Sequence, residues 1–458
     1  TFFVFEHLVE GNEHRAAAKY GVSFLKETTR DKRLPYVDKL ISEFIDDGLN
    51  KELSFANRLF VMHELSADLL AAGRRADAEA LLLEAKSAIE EVDSEERRKK
   101  ASLVCDTYGL LADAWAARGN YSRALLLLAK TKDSLNPYLS LSAQASLLND
   151  IGWLQYRLGD YDRAVESCKL SLNSLNASEH PLIVAQALNI MGVINFNTSR
   201  YDEAISYYDQ SAFLREREGD VNALSASYNN LALAYQTKGE YDKALGYYNK
   251  SLEIKKLQDN RVGIAAGCLN LALLYLELHN FEEAEKKCRE SLEISADLGN
   301  TRLTAENYST LGDIEFTRGH YREAEDCYHK SLGLAHSLET INEEMGAHRR
   351  LGKLYLTTER FEEARDAVEK AAMLARQIGS RYENAQIESI LGDLNREEDR
   401  DAEAIQHYES AASSYSAVSK YRLAAPILAR IGLIHFEKGN VFEAKQYLDR
   451  ALDLSRTE

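Results

Sequence analysis

The residues best suited to chemistry in this sequence are amides. Asn149, Asn189 and Asn229 recur at one constant step, and the neighbouring column holds Asp150, Asn230 and Asn270. A carboxamide both donates and accepts hydrogen bonds, so a row of them can pair with the backbone of an extended peptide whatever its side chains. Asparagine has poor helix propensity, and local capping or packing is the competing reason for it to sit in a helix. Further along, Arg349, Arg350, Lys353 and Arg430 form a basic zone that would select acidic side chains or a carboxylate. Asp106, Asp113 and Asp150 make the other end acidic, so a bound peptide would be oriented. A solvated helix face is the alternative for both zones, and Asp313 and Asp393 are placed to neutralise the basic one. Trp153, Tyr156 and Phe196 would add apolar contact. There is no GxxxxGK[ST] phosphate loop, no HExxH and no GxSxG elbow, and the histidines share no metal spacing. The expectation is a binding protein with no catalytic residues, cofactor or metal.

These side chains are positioned by a repeat. A turn recurs at Gly119, Gly159, Ser199, Gly239, His279, Gly319, Glu359, Asp399 and Gly439, with the same 40-residue step every time. Five residues after each turn sits an alanine, from Ala124 to Ala444. Seven residues before it sits a glycine or alanine, from Ala112 through Gly152, Gly312 and Gly392 to Gly432. Antiparallel helices approach closely only where side chains are small, so the spacing predicts nine helix hairpins in which the Gly/Ala column faces the alanine column. Glycine at the turn can take the left-handed conformation that ends a helix. The aromatic residue two places later packs at the hairpin base, which assigns most of the 25 tyrosines to the core.

This wording resembles the tetratricopeptide repeat (TPR) family, which places Leu-Gly, an aromatic, Gly-x-Tyr and Ala at these offsets. The usual period of that family is shorter, about 34 residues. The 40-residue step, as in Tyr228-Asn229-Asn230-Leu231-Ala232-Leu233-Ala234-Tyr235, resembles the sensor arrays of MalT-like STAND signalling ATPases and the LGN-type polarity adaptors. The resemblance implies an all-α, right-handed superhelix of antiparallel hairpins. It also implies that the first helix of each pair lines the groove, and that asparagines there clamp peptides. The function expected is a protein- or peptide-binding scaffold, in its specific form the ligand-sensing array of a larger STAND-type ATPase. The rivals are a freestanding adaptor bridging two proteins, the regulatory array of a fused catalytic domain such as a protease, and a small-molecule sensor. Self-association through a larger parent protein is a further expectation.

Composition agrees with this class. Four prolines, 45% hydrophobic residues and 28% charged residues suit a folded helical chain. A net charge of −17 argues against nucleic acid. No apolar run is long enough to cross a membrane. Five cysteines without a CxxC pair point to a reducing, cytoplasmic setting, with the thiols buried and inert. The expected organisation is irregular N-terminal helices with a degenerate repeat over 1–58, a divergent repeat plus insertion over 59–104, and nine repeats over 105–458. The degenerate repeat rests on Gly11-Asn12 with Ala16, and residues 33–48 read as one helix. The first residue is Thr1, which suggests a piece of a larger protein.

Overall fold

The computed structural model describes residues 2, 5, 8–9, 14–46, 48–338, 340–378, 380–418 and 420–456. Gly11, Asn12 and the turn residue Gly379 lie outside them. The described residues form helices joined by short turns, with no strand among them. An N-terminal helix α1 (His14–Glu27) precedes a first hairpin, α2 (Phe55–Ala71) and α3 (Arg75–Glu91). The 40-residue repeats then follow as first and second helices in strict alternation: α4 (Ala101–Ala117), α5 (Tyr121–Leu135), α6 (Leu141–Arg157), α7 (Tyr161–Ser174), α8 (Pro181–Asn197) and α9 (Tyr201–Glu218). The series continues with α10 (Val221–Thr237), α11 (Tyr241–Leu257), α12 (Arg261–Glu277), α13 (Phe281–Asp297), α14 (Thr301–Arg318) and α15 (Tyr321–Ser337). It ends with α16 (Ile341–Thr357), α17 (Phe361–Ile378), α18 (Arg381–Glu397), α19 (Asp401–Ala417), α20 (Tyr421–Glu437) and α21 (Val441–Ser455). The chain forms two compact units, residues 1–194 with 213–218 and residues 195–212 with 219–458. Each is an α-solenoid of stacked hairpins.

Within each unit the apolar column before the small residue forms the core. Leu111, Leu231, Leu271 and Ile431 are essentially without exposed surface. Burial of each such side chain stabilises the fold by about 1.5–3 kcal/mol. Ala124, Ala164, Ala244, Ala284, Ala324, Ala364 and Ala404 are likewise fully buried. The small column, however, meets something other than the alanine side chains. A Cβ added at Gly312 would lie 2.4 Å from the Tyr328 ring, at Gly392 2.5 Å from the Tyr408 ring, and at Gly352 2.3 Å from Val368. The glycines make room for the residue sixteen positions later on the second helix. The alanine column contributes backbone, as at Gly432, where the Ala444 carbonyl would be 3.2 Å away.

This arrangement also corrects the assignment of the tyrosines. Tyr121, Tyr161 and Tyr241 at the hairpin base are half-buried and Tyr321 is exposed, whereas Tyr208, Tyr248, Tyr328 and Tyr408, sixteen positions past the small column, are buried, as are Tyr355 and Tyr415. The base tyrosines sit on the first turn of the second helix, and their partners differ: Tyr161 meets the Tyr156 ring at 5.9 Å, Tyr121 the Arg157 guanidinium at 4.4 Å, and the Tyr241 hydroxyl donates to Glu277 at 3.0 Å.

The turns share one conformation. Gly119, Gly159, Gly239, Gly319 and Gly439 have φ between +77° and +84°. Ser199, His279, Glu359 and Asp399 adopt the same left-handed region, with φ between +56° and +60°. The next amide then reaches back to a helix carbonyl, as in Asn120 N to Trp115 O at 2.9 Å and Arg360 N to Tyr355 O at 2.8 Å. Between repeats, Asp220, Asn260 and Asn300 cap the following helix by accepting from the backbone N–H three residues on.

The N-terminal part differs from the single helix expected over 33–48. Short helices at Arg30–Arg33 and Val37–Ile41 are joined by a 3-10 turn at Leu34–Tyr36, because Pro35 has no N–H to continue the ladder. Arg33 ties this region to α2. It is buried, donates to both Asp68 oxygens at 2.9 and 3.0 Å, and reaches Glu64 at 2.6 Å. Cys105, Cys168, Cys268 and Cys288 are buried, and burial pushes the Cys168 and Cys288 thiols up to about 12.

Two substitutions test these geometries in opposite directions. Gly312→Ala drives a methyl into the Tyr328 ring and lowers stability by about 1–3 kcal/mol. His279→Gly removes left-handed strain at a greater gain than its entropy cost and raises stability by about 0.5–1 kcal/mol. Urea unfolding midpoints at constant m-value report both.

Candidate binding site on the first-helix face

The candidate residues all lie on first helices, where the 40-residue step brings equivalent positions into rows. In the first unit a hollow of about 320 Å³ is lined by Asp113 on α4, Leu128 on α5, Asp150 and Trp153 on α6, and Gln186 and Asn189 on α8. Three first helices and one second helix thus converge on it. Gln186 Nε2 donates to Asp150 Oδ1 at 3.2 Å. Burial pushes the Asp150 carboxyl up to about 7, with repulsion from Asp113 and Asp106 adding to it. Burial likewise pushes Asp113 up to about 6, although its side chain keeps surface at the mouth of the hollow. The half-buried Trp153 indole lies 5.2 Å from the Tyr156 ring, and the Arg157 guanidinium lies 5.6 Å from the indole and 4.4 Å from the Tyr121 ring.

In the second unit a hollow of about 340 Å³ is lined by Ser309 and Thr310 on α14, Met345, Arg349 and Arg350 on α16, and Glu383 on α18. Its two arginines are unlike. Arg350 Nε donates to both oxygens of Asp313 at 3.0 Å, and the Tyr328 hydroxyl donates to the same carboxylate at 2.8 Å. Burial opposes the Arg350 charge, but Asp313 outweighs it and holds the pKa above its ordinary value. Arg349 lies 3.6 Å from Glu383, yet neither its Nε nor Glu383 Oε2 has a hydrogen-bond partner. Burial, and then the Arg350 charge, lower the Arg349 pKa.

The asparagines are used in three ways. Asn149 has no exposed surface, and its Nδ2 donates across to the Ile183 carbonyl of α8 at 2.9 Å. Asn189 lines the first hollow. Asn270 Nδ2 donates to Asn229 Oδ1 at 2.8 Å, joining α12 to α10, with half-buried Asn230 beside them. Of the remaining basic residues, Lys353 is exposed with its ammonium 5.3 Å over the Phe316 ring. Arg430 is exposed too, and it donates to Asp393 at 2.6 Å. Asp313 and Asp393 therefore do neutralise part of the basic zone. Sequence reasoning missed Gln186 and Glu383. Gln186 stands one turn before Ile190 and three residues before Asn189, so helical spacing alone could have placed it in the row.

Family models described as tetratricopeptide repeat match residues 183–256 and 264–335, 309–380, and 145–174 with 425–458, together more than half of the chain. The chain belongs to the tetratricopeptide repeat family. Solved structures share the TPR fold. A Rap protein complexed with competence and sporulation factor is similar at TM-score 0.58 and 13% identity, covering 88% of this chain and 98% of that one. The apo form of the quorum sensor NprR from B. thuringiensis gives TM-score 0.55 at 18% identity, covering 80% of this chain and 100% of that one. The Rap conjugation gene regulator of the plasmid pLS20, in complex with the Phr* peptide, gives TM-score 0.52 at 15% identity, covering 76% and 94%. No curated protein sequence matches the chain significantly. Among the described residues of this TPR protein, no group of three or more His, Cys, Asp or Glu could hold a metal, and no helix is long and apolar enough to cross a membrane.

The acidic hollow makes TPR stability depend on pH. Asp113 and Asp150 bind protons more tightly folded than unfolded, where an aspartate titrates near about 3.9. Between about pH 4 and 7 the folded state holds the extra protons, so stability falls as pH rises through that window. Asp150→Asn removes the penalty. The substitution stabilises the chain by roughly 1–3 kcal/mol at pH 8 and by little at pH 4. Thermal melts at the two pH values check this.

Proposed function

We propose that the chain is a non-enzymatic binding scaffold that takes an extended peptide, or a peptide segment of a protein, along its first-helix face. One observation carries the reading. In each unit polar and charged side chains from three successive first helices converge on an open hollow, one holding Asp150, Trp153 and Asn189 and the other Arg349, Arg350 and Glu383. An extended chain crossing successive first helices meets one such row after another. The amides assigned to its backbone are Asn189 in the first unit and Asn229, Asn230 and Asn270 in the second, while the fully buried Asn149 acts from beneath by holding α6 to α8. Lys353 and Arg430 extend the polar face toward the last repeats. Peptide complexes among the similar solved structures support this reading.

In the second hollow the Arg349 guanidinium lies 3.6 Å from the Glu383 carboxylate, so part of the charge on this wall is balanced from within the protein. Acidic ligands are favoured less than a basic zone alone would suggest, since Arg350 and Arg430 already hold carboxylates. The 40-residue wording further supports placing the scaffold as the sensing array of a larger STAND-type ATPase. A P-loop domain in the same gene is the finding that separates this from a freestanding adaptor.

The test is a tiled peptide array probed with the intact chain, followed by titration of a captured peptide. Asn229→Ala with Asn270→Ala removes the amide pair and weakens binding about tenfold, while the loss of one partly buried hydrogen bond costs about 1 kcal/mol of stability. Affinity unchanged in that variant takes the asparagines out of the mechanism. An array that captures nothing removes the peptide reading.

A further inference from the structure

The repeats contain an internal template for what the first hollow binds. In two places the residue after the small column is an aspartate that meets an arginine of the next first helix. Asp313 takes Arg350 through both oxygens at 3.0 Å, and Asp393 takes Arg430 at 2.6 Å. In both, a tyrosine sixteen residues past the small column donates to the same carboxylate, Tyr328 at 2.8 Å and Tyr408 at 2.7 Å. Five repeats before Asp313 the same register position is Asp113. There Asp150 stands where Arg350 stands, and Leu128 stands where Tyr328 stands. The protein supplies neither guanidinium nor phenol to Asp113, and the space is the hollow of about 320 Å³. Asp113 is exposed and Asp150 half-buried, neither forms an ion pair among the described residues, and no cation lies close enough to lower the pKa of either carboxyl.

We propose that this hollow binds a guanidinium side chain of the peptide ligand, so that the ligand supplies the arginine that the array supplies to itself at positions 350 and 430. The peptide carrier rests on the function proposed above; the guanidinium site does not. What points to the ligand is the repeated Arg–Asp contact in two other copies of the same register, not the pair of carboxylates alone. The walls suit this group. Two carboxylates on adjacent first helices accept the planar fork of N–H donors, the Trp153 indole borders the space, and Asn189 and Gln186 line it with amides. The lining has no histidine or cysteine, which disfavours the softer transition metals. A hard cation would find two carboxylates and two carboxamide oxygens there but no group of three or more acidic side chains among the described residues, so calcium is the rival that the test must exclude.

The chain has two tryptophans, Trp115 and Trp153, so Trp115→Phe leaves a single indole at the hollow. In that background N-acetyl-arginine amide is titrated at pH 8 and low salt, with indole fluorescence as the readout. N-acetyl-citrulline amide, of the same shape but uncharged, is the control. The expected result is a saturable response to the arginine derivative and one at least tenfold weaker to citrulline. Asp150→Arg, which installs the pairing of positions 313 and 350, abolishes the response with circular dichroism and melting retained. Asp113→Asn with Asp150→Asn abolishes it as well, and serves if the arginine variant does not fold. The proposal is overturned by no response, by an equal response to citrulline, by a response that survives either variant, or by calcium chloride acting in place of the arginine derivative. Arginine amide bound by a chain that captures no peptide leaves the site standing and removes the peptide reading. Peptide capture untouched by Asp150→Arg does the reverse.

Discussion

The close approach of the two helices of a hairpin governs everything else in the array. At Gly312 and Gly392 the first helix has no side chain, and a tyrosine ring of the second helix lies where a Cβ would be. That contact leaves one distance and one rotation for the pair. Because the period never slips, a side chain placed on one first helix has a counterpart at the same position on the next. The rows of asparagine, aspartate and arginine exist only because of this. A methyl group at the glycine would disturb the local packing and also the phenol that orients a carboxylate on the neighbouring face, since Tyr328 serves both.

The electrostatics follow from the same geometry. An aspartate just after the small column and a residue 37 positions later sit on adjacent first helices within bonding distance. Where the second residue is arginine, as at 350 and 430, the charges neutralise each other and Tyr328 or Tyr408 completes the carboxylate's hydrogen bonds. Where it is Asp150, like charges meet in a desolvated place and the protons are held more tightly. One pairing position therefore gives a structural clamp in the second unit and an open anionic hollow in the first. At these register positions the difference lies in two side chains, Asp150 in place of arginine and Leu128 in place of tyrosine.

The hairpins were legible because their spacing is backbone-driven: turn, alanine column and small column all repeat with the same 40-residue step. What faces the small column was less legible, since several side chains of the second helix could fill the space and only the packing selects the one sixteen residues on. The left-handed turns at His279 and Glu359 carry no glycine, so the conformation is imposed by the hairpin on residues that do not favour it. The site was legible as a face and not as a set of contacts. Asn149 and Asn189 share a column, yet one is sealed against the Ile183 carbonyl and the other opens on a hollow, because a column specifies direction but not neighbours. The pairing of Arg350 with Asp313 crosses a repeat boundary, and the sequence signalled it only through the flanking position of the acid.

The unequal turns have a mechanical consequence. A solenoid is a series of links, each supported only by the links beside it, so its persistence is set by the least stable one. Glycine turns at 239 and 319 bracket a strained turn at His279, and those at 319 and 439 bracket strained turns at Glu359 and Asp399. The second unit is thus segmented into stiffer and softer links rather than being uniform along its length. Local opening of this unit is expected first at the turns that hold a non-glycine residue in the left-handed region, Ser199 included. The second hollow is lined by α12 and α14 to α16 and by α18, so it spans links of both kinds and can yield at one edge while the other holds.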